Sequence, residues 1–563
     1  MGTYLNPGNI LFQECTKSKI YVDKTGLIEY TNEWLNTENK FVCVSRPRRF
    51  GKSMSLKMLA AYYSRECDSR GLFEPYKISR SASGDARSGF AKNLNQYDTL
   101  LIDMQGLLGS ALNEPQLQKD LEQFYQKLPQ ITDSQRATLH HPLLTGIQHL
   151  IIRDLRENKT YAAYIPETEA SLGNALLTIY KNTGSQFVLL IDEWDCVFRN
   201  YETDRLLQDK YIGFLRDLFK NTALLPVFAL VYLTGILPIR RYGTQSALNN
   251  FTEYTFLNPM KLAEFSGFTE PEVRGLCADY HIDFEEMSRW YNGYAFKRTG
   301  RIYNPRSVVC AIENEEFASY WTATGTYESV KKVIDMNFDG LKEKIILMLG
   351  NGRCKINVSK FQNDMVTFHS CDDVLTLLVH LGYLGYDSEK KEVYIPNREI
   401  RDEFVNAIDG NKWTLTHAAI MQSEELLEAT LSCDEQTVAA CIEKVHENNT
   451  AILTYNSETA LSCVIQLAYY QAQDHYMLVR EMPAGKGFAD VVFLPRRGSE
   501  LPALVIELKW LQTARTALDQ IRERHYGDVL HKYYGDLLLV AISYDKESGT
   551  KQHHCIIERI RKD

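Results

Sequence analysis

Short, continuous apolar runs punctuate the first 255 or so positions, at Phe41–Ser45, Thr99–Met104, Phe187–Ile191 and Val227–Thr234. A strand buried on both faces reads as unbroken rather than alternating hydrophobicity. The runs therefore predict a parallel sheet, and the amphipathic segments between them predict helices over both its faces. From about 256 to 400 the pattern turns helical with short connections, at Pro271–Tyr280, Asp283–Tyr291 and Asp372–Leu381. Val393–Ile395 reads as a short strand whose flanks form a small hairpin. The remainder opens with helices at Ser423–Leu431, Glu435–Asn448 and Ala460–Gln473. It continues with two strands, a helix and a further strand, Leu537–Tyr544, the pattern of a mixed α/β domain. The expected domains are 1–255, 256–404 and 405–563, without internal repeats or low-complexity linkers.

Composition limits the function classes. The chain has 563 residues, 44% hydrophobic and 24% charged, which is globular usage and argues against long disorder. Lys and Arg number 63 against 72 Asp and Glu, a net charge of −9. That balance excludes coating nucleic acid through global charge but leaves room for a local basic channel. The N-terminal residues lack a basic region followed by an apolar core, and no Ser or Thr stands where a myristoylation motif after Gly2 expects one. The most apolar stretch, Leu224 to Ile239, is broken by Pro226, Thr234, Gly235 and Pro238 and is shorter than the ~20 residues a spanning helix needs. Twelve cysteines are scattered without a CxxC pair, the usage of reduced core thiols. These features predict a cytoplasmic protein without membrane attachment.

The run Phe41-Val-Cys-Val-Ser-Arg-Pro-Arg-Arg-Phe-Gly-Lys-Ser53 is a strand, a turn, and Gly-Lys-Ser opening a helix read as Ser55–Ser64. Backbone N–H groups of such a turn cradle phosphates. Lys52 would reach the β/γ oxygens and Ser53 would hold Mg²⁺. Arg46 stands where G-x-x-x-x-G-K-[ST] has its first Gly, so the candidate nucleotide set is Arg46, Arg48, Arg49, Gly51, Lys52 and Ser53. Phe187-Val-Leu-Leu-Ile-Asp-Glu-Trp-Asp195 ends a buried strand in carboxylates at the sheet edge where ligands bind. Asp192 would hold Mg²⁺ through water and Glu193 would orient the attacking water. An acidic pair after a strand is also a common helix N-cap, and Lys52 is what tips the reading. Thr234, at the tip of a third strand, is a candidate γ-phosphate sensor, and Arg240 or Arg241 a candidate charge-neutralising arginine.

A second constellation lies near the C-terminus. Gly487–Pro495 and Ala503–Trp510 read as a hairpin turning near Gly498–Ser499. That fold places Asp490 opposite 507–508, with Glu507 and Lys509 on one strand face. Two carboxylates suit a hard divalent ion, and a lysine can position water or neutralise a phosphate, which together suffice for phosphodiester hydrolysis. A cross-strand ion pair is the plainer alternative, but it is costly in so apolar a strand. Glu458 could add a carboxylate. Residues 505–563 carry ten Lys/Arg against nine Asp/Glu, a local balance opposite to that of the whole. Arg515, Arg522, Arg524 and Lys532 fall on a helix with Gln520 that could meet a phosphate backbone.

Together these motifs resemble a bacterial family with an N-terminal AAA-ATPase-like domain and a C-terminal PD-(D/E)XK nuclease-superfamily domain. The resemblance rests on Tyr21-Val-Asp23-Lys24-Thr25, Ser45–Ser53, Leu190–Asp195, Thr234-Gly235, Ser246–Asn250, Trp290–Tyr294 and Tyr303-Asn-Pro305. Arg46 is shared with the family, Trp194 replaces a more usual Tyr, and Arg306 a common Trp. The resemblance implies a P-loop NTPase-type parallel sheet with a helical lid or winged-helix-like extension, then a restriction-endonuclease-like α/β domain. It places the nuclease pattern on Asp490, Glu507 and Lys509, with Glu458 the helix carboxylate and Gln520 the residue of the following helix. The implied function is an ATP- and Mg²⁺-dependent hydrolase of nucleic acid, DNA rather than RNA, gated by the ATPase domain. A role in anti-phage defence or mobile elements and assembly as a homo-oligomer accompany that implication. The alternative is a nucleotide-switched signalling or scaffold protein whose nuclease-like domain binds without cutting.

Overall fold

The computed structural model describes residues 2–80, 90–239, 241–242, 245–246, 248–321, 327–336, 338, 340–361, 368–408, 413–449, 465–484, 487–496, 499–510, 513–523, 536–544 and 553–561. The chain divides into two compact units. The first comprises 1–320, 356–391 and 396–398, and the second 321–355, 392–395 and 399–563.

In the first unit, strands β1 (Phe41–Ser45), β2 (Asp98–Asp103), β3 (Phe187–Asp192), β4 (Phe228–Gly235) and β5 (Thr252–Tyr254) form one sheet in the order β2-β3-β4-β1-β5. Every neighbouring pair is parallel. Successive residues of a strand point to opposite faces, and here each face has its own core. Phe41 and Cys43 enter one core with Leu189, Ile191, Val231 and Leu233. Val42 and Val44 enter the other with Val188, Leu190, Leu230 and Tyr232. That double burial is why the strands read as continuous apolar runs. Because all five strands run one way, the turns after β1, β3 and β4 emerge at the same sheet edge.

The segment Gly2–Asn6 closes the β2 side, where Leu5 bridges Leu100 in antiparallel fashion. It is pinned by Asp154, whose carboxylate accepts hydrogen bonds from the backbone N–H of Thr3, Tyr4 and Leu5 at 2.7, 2.9 and 2.7 Å. Beyond the sheet the unit carries the helices Glu270–Tyr280, Phe284–Tyr291 and Cys371–Leu381 where the periodicity predicts helices, and a small antiparallel sheet of Phe268–Thr269, Gly300–Tyr303 and Tyr294–Phe296.

The second unit holds a sheet of β6 (Tyr476–Ala484), β7 (Gly487–Pro495), β8 (Ala503–Trp510), β9 (Leu537–Tyr544) and β10 (His553–Ile560) in sequential order. Only β8 and β9 pair in parallel, and the helix Ala514–Glu523 lies on the crossover between them. One sheet face, bearing Val492, Ala503, Val505, Leu539 and Ala541, is covered by Ala517, Leu518 and Ile521 of that helix. No described helix is long and apolar enough to cross a membrane, and eleven described cysteines are free thiols.

Candidate functional site: a phosphate loop facing an acidic strand tip

The turn after β1 is shaped by two left-handed residues, Arg49 at φ 68° and Gly51 at φ 83°. Lys52 opens the helix Lys52–Tyr63, and Gly51 caps it without a side-chain hydrogen bond. The helix therefore begins three residues before the Ser55 expected from the apolar pattern, and its first turn presents free backbone N–H groups to the loop. Lys52 is buried and its Nζ donates to the Pro47 carbonyl at 2.9 Å, folding the side chain back over the loop. Burial pushes its pKa down, while the charges of Glu193, Asp192 and Asp195 pull it up. Ser53 and Arg48 are exposed.

Arg46 takes another path. Its N–H donates to the Gly235 carbonyl at 3.0 Å, and its buried guanidinium donates to the carbonyls of Ser45 and Tyr254 at 2.8 and 2.6 Å. Burial lowers its pKa to about 10. The side chain stitches β1 to β5 beneath the loop instead of extending over it. Arg49 donates to the Tyr320 carbonyl. Phe50 packs edge-on against Phe256 and Tyr294 at 5.5 and 5.4 Å, so the loop tip is seated in the segment that follows the sheet.

β3 delivers Asp192 to the same edge. Its Oδ1 accepts from Thr234 Oγ1 at 2.5 Å and from the Glu193 N–H at 3.0 Å, joining the tips of β3 and β4. Glu193 is left-handed, at φ 53°, and its carboxylate pairs with Arg199. Arg199 Nε also meets Asp195 Oδ2 at 3.2 Å. That oxygen accepts the N–H groups of Ile236 and Leu237 at 3.1 and 2.9 Å. Burial lowers the pKa of Arg199, but the charges of Asp195 and Glu193 outweigh it and the net shift is upward. Gly235 is required here, because a Cβ would stand 2.7 Å from both Asp195 Oδ1 and Trp194 Cδ1. The strand-tip motif by itself gives Asp195 no role and does not point to Arg199. Their four-residue spacing across a helix start was the available signal. Arg240 lies outside the described residues, as does the side chain of Arg241.

In the second unit the β7–β8 register runs Val492↔Val505 and Val491↔Ile506, which brings Asp490 level with Glu507. Asp490 Oδ2 accepts the Leu508 N–H at 2.9 Å. Glu507 is buried. Its Oε1 lies 3.4 Å from Lys509 Nζ and also accepts from Gln520 of the crossover helix. Asp490, Glu507 and Lys509 thus share one sheet face, and Gln520 reaches Glu507 from the helix. Arg515 and Arg522 pair with Asp519, and Arg522 also with Glu558, so the positive charge on the described part of that helix is largely balanced. Glu458, Arg524 and Lys532 lie outside the described residues. Among the described residues no three His, Cys, Asp or Glu side chains converge as a metal cage. Each site offers an oxygen pair rather than a complete shell.

A parallel sheet carrying a Gly-Lys-Ser loop, an acidic strand tip and a polar third tip defines an α/β domain of the NTPase type. Residues 11–244 match the family model described as "Predicted AAA-ATPase", AAA-ATPase-like, a likeness that covers the whole of the parallel sheet but its last strand. A protein of Azotobacter chroococcum mcd 1, described as "Uncharacterized protein in vnfD 5'region", is 26% identical over 317 residues, 54% of this chain and 51% of that relative. The chain spans about half the length of this curated relative.

Proposed function

We propose that the protein binds and hydrolyses ATP at the β1/β3/β4 edge and that its second unit cleaves phosphodiester bonds, in DNA rather than RNA, under control of the nucleotide. The observation that carries the first half is the meeting of Lys52 with Asp192, Glu193 and Thr234 at one edge of a parallel sheet. Lys52 exchanges its Pro47 carbonyl for phosphate oxygens, the free N–H groups of the helix start add donors, and Thr234 fixes Asp192. Glu193 orients the attacking water. The hard oxygens of Ser53 and Asp192 suit Mg²⁺, which when bound with nucleotide neutralises phosphate charge.

The second half rests on Asp490, Glu507 and Lys509 sharing a sheet face, with Gln520 reaching Glu507 from the helix. Asp490 and Glu507 supply an oxygen pair fit for Mg²⁺, and Lys509 supplies a cation for phosphate charge. A second reading, in which this unit binds nucleic acid without cutting it, is favoured by one observation. Both carboxylates are already engaged, Asp490 by the Leu508 amide and Glu507 by Lys509 and Gln520. Incubating the full chain with Mg²⁺ and linear DNA, circular DNA or RNA, with and without ATP, decides between them. Cleavage by the wild type that is lost in Asp490→Ala supports the hydrolase. Binding without cleavage under every condition supports the scaffold.

A further inference from the structure

Arg199 is buried, its side chain 7% exposed, while Glu193 stands 24% exposed at the ligand edge and Asp195 is fully buried. Taking a guanidinium out of water is costly unless it is paired. Asp195 alone meets that need. It lies four residues earlier, is held by the N–H groups of Ile236 and Leu237, and meets Arg199 Nε. The second arm of the guanidinium does something else: Nη2 reaches the strand tip and takes Glu193 Oε2. Lys52 feels the charges of both Glu193 and Arg199, which puts this arm in the neighbourhood of the phosphate loop. The left-handed backbone of Glu193 is the turn that brings its side chain round to Arg199.

Resting on the ATPase reading above, we infer that Arg199 is the positioning residue for Glu193, with Asp195 and the end of β4 holding Arg199 in turn. A glutamate side chain has three rotatable bonds. Tethering Oε2 leaves Oε1 to address the attacking water in one orientation, and reactions lose rate steeply when the reacting groups are misplaced by even an ångström. The planar fork of arginine serves Asp195 and Glu193 at once, which lysine's single ammonium does only in part. The chain Ile236/Leu237–Asp195–Arg199–Glu193 also ties the base to the strand that carries Thr234.

The test is a double-mutant cycle on the full chain, reading steady-state ATP hydrolysis, binding of a fluorescent ATP analogue, and melting temperature. Arg199→Gln is expected to lower kcat roughly 10–100-fold while KM and analogue affinity stay within about threefold, and Arg199→Lys to recover part of the loss. In a Glu193→Gln background, Arg199→Gln is expected to cause no further loss, because its effect runs through Glu193. Equal losses on both backgrounds, an unchanged or raised kcat, or a fall in analogue affinity matching the fall in kcat would each overturn the assignment. Should Arg199→Gln not fold, Arg199→Lys on the two backgrounds carries the same cycle. A wild type that turns over no ATP overturns the ATPase reading and this assignment with it. Turnover that responds to Glu193 but not to Arg199 overturns this assignment alone.

Discussion

Gly235 shows how one missing methyl group holds the nucleotide edge together. Its backbone carries the carbonyl that receives Arg46, and its Cα face is pressed against Trp194 and Asp195. A Cβ 2.7 Å from an aspartate oxygen and an indole carbon forces the tips of β3 and β4 apart, because the indole is rigid and the carboxylate is held by Ile236, Leu237 and Arg199. Gly235→Ala is expected to destabilise the protein by about 1–3 kcal/mol, read as a lower denaturant midpoint, and to lower ATP turnover by displacing Asp195 and Arg199. An unchanged midpoint would contradict the packing. His141 makes a second residue-scale prediction. It caps the helix Pro142–Glu157 through Nδ1, which accepts the Leu143 N–H at 3.3 Å, while Nε2 faces the Tyr125 hydroxyl, itself bonded to Asp204. Burial pushes its pKa down to about 4, against a smaller upward pull from Asp204. Above about pH 6.5 the folded and unfolded chains are both neutral at this site. As the pH falls from there to about 4, the unfolded chain takes up the proton first, so stability drops by roughly 3 kcal/mol. His141→Asn keeps a cap acceptor and removes the titration. Its melting temperature should fall less than that of the wild type between pH 6.5 and 4.

At the scale of elements, the edges of the first sheet are where the sequence says least and the fold works hardest. Gly2–Asn6 is no strand by pattern, yet it covers β2 because three consecutive N–H groups converge on the Asp154 carboxylate. Asp154→Ala strands those donors beside a buried strand, and hydrogen bonds to a charged group contribute about 1.5–3 kcal/mol each in favourable cases. A loss of about 3 kcal/mol is expected, with exposure of the N-terminus to limited proteolysis; equal protection in the variant and the wild type would refute it. The central strands were legible because double burial leaves no polar position to interrupt them. β5, Thr-Glu-Tyr, escaped because an edge strand three residues long has no period to detect. β6 and β10 escaped because each lies at the margin of its sheet and carries charged residues, Arg480 and Glu481 in one, Glu558 and Arg559 in the other. The same logic divides the nucleotide edge. Lys52 and Asp192 were legible because a strand, a turn and a helix start must follow one another in the chain. The Glu193–Arg199 contact was not, because it depends on a left-handed turn at a glutamate, a conformation the residue type does not advertise.

For the whole molecule, the proposal makes nucleotide and phosphodiester chemistry two parts of one cycle, and that coupling is separable from either activity. ATP can favour a cleaving state only through contacts that differ between two arrangements of the protein. The phosphate loop has a route for such contacts within its own unit. Phe50 is seated against Phe256 and Tyr294, and the Tyr294 hydroxyl donates to the Gly382 carbonyl at 2.5 Å, so a loop that rearranges around phosphate pulls on the helical segment behind it. Lys52→Ala removes the cation proposed to meet the β/γ-phosphates and leaves Asp490, Glu507 and Lys509 untouched. If the nucleotide gates cleavage, Lys52→Ala should abolish the ATP-dependent increment in DNA cleavage and return the rate to that of the wild type without ATP. Asp490→Ala should abolish cleavage while ATP turnover stays within about twofold, since the substitution touches none of Lys52, Asp192 or Glu193. Cleavage by Lys52→Ala that equals the ATP-stimulated wild-type rate would leave a nuclease and an ATPase joined in one chain but uncoupled.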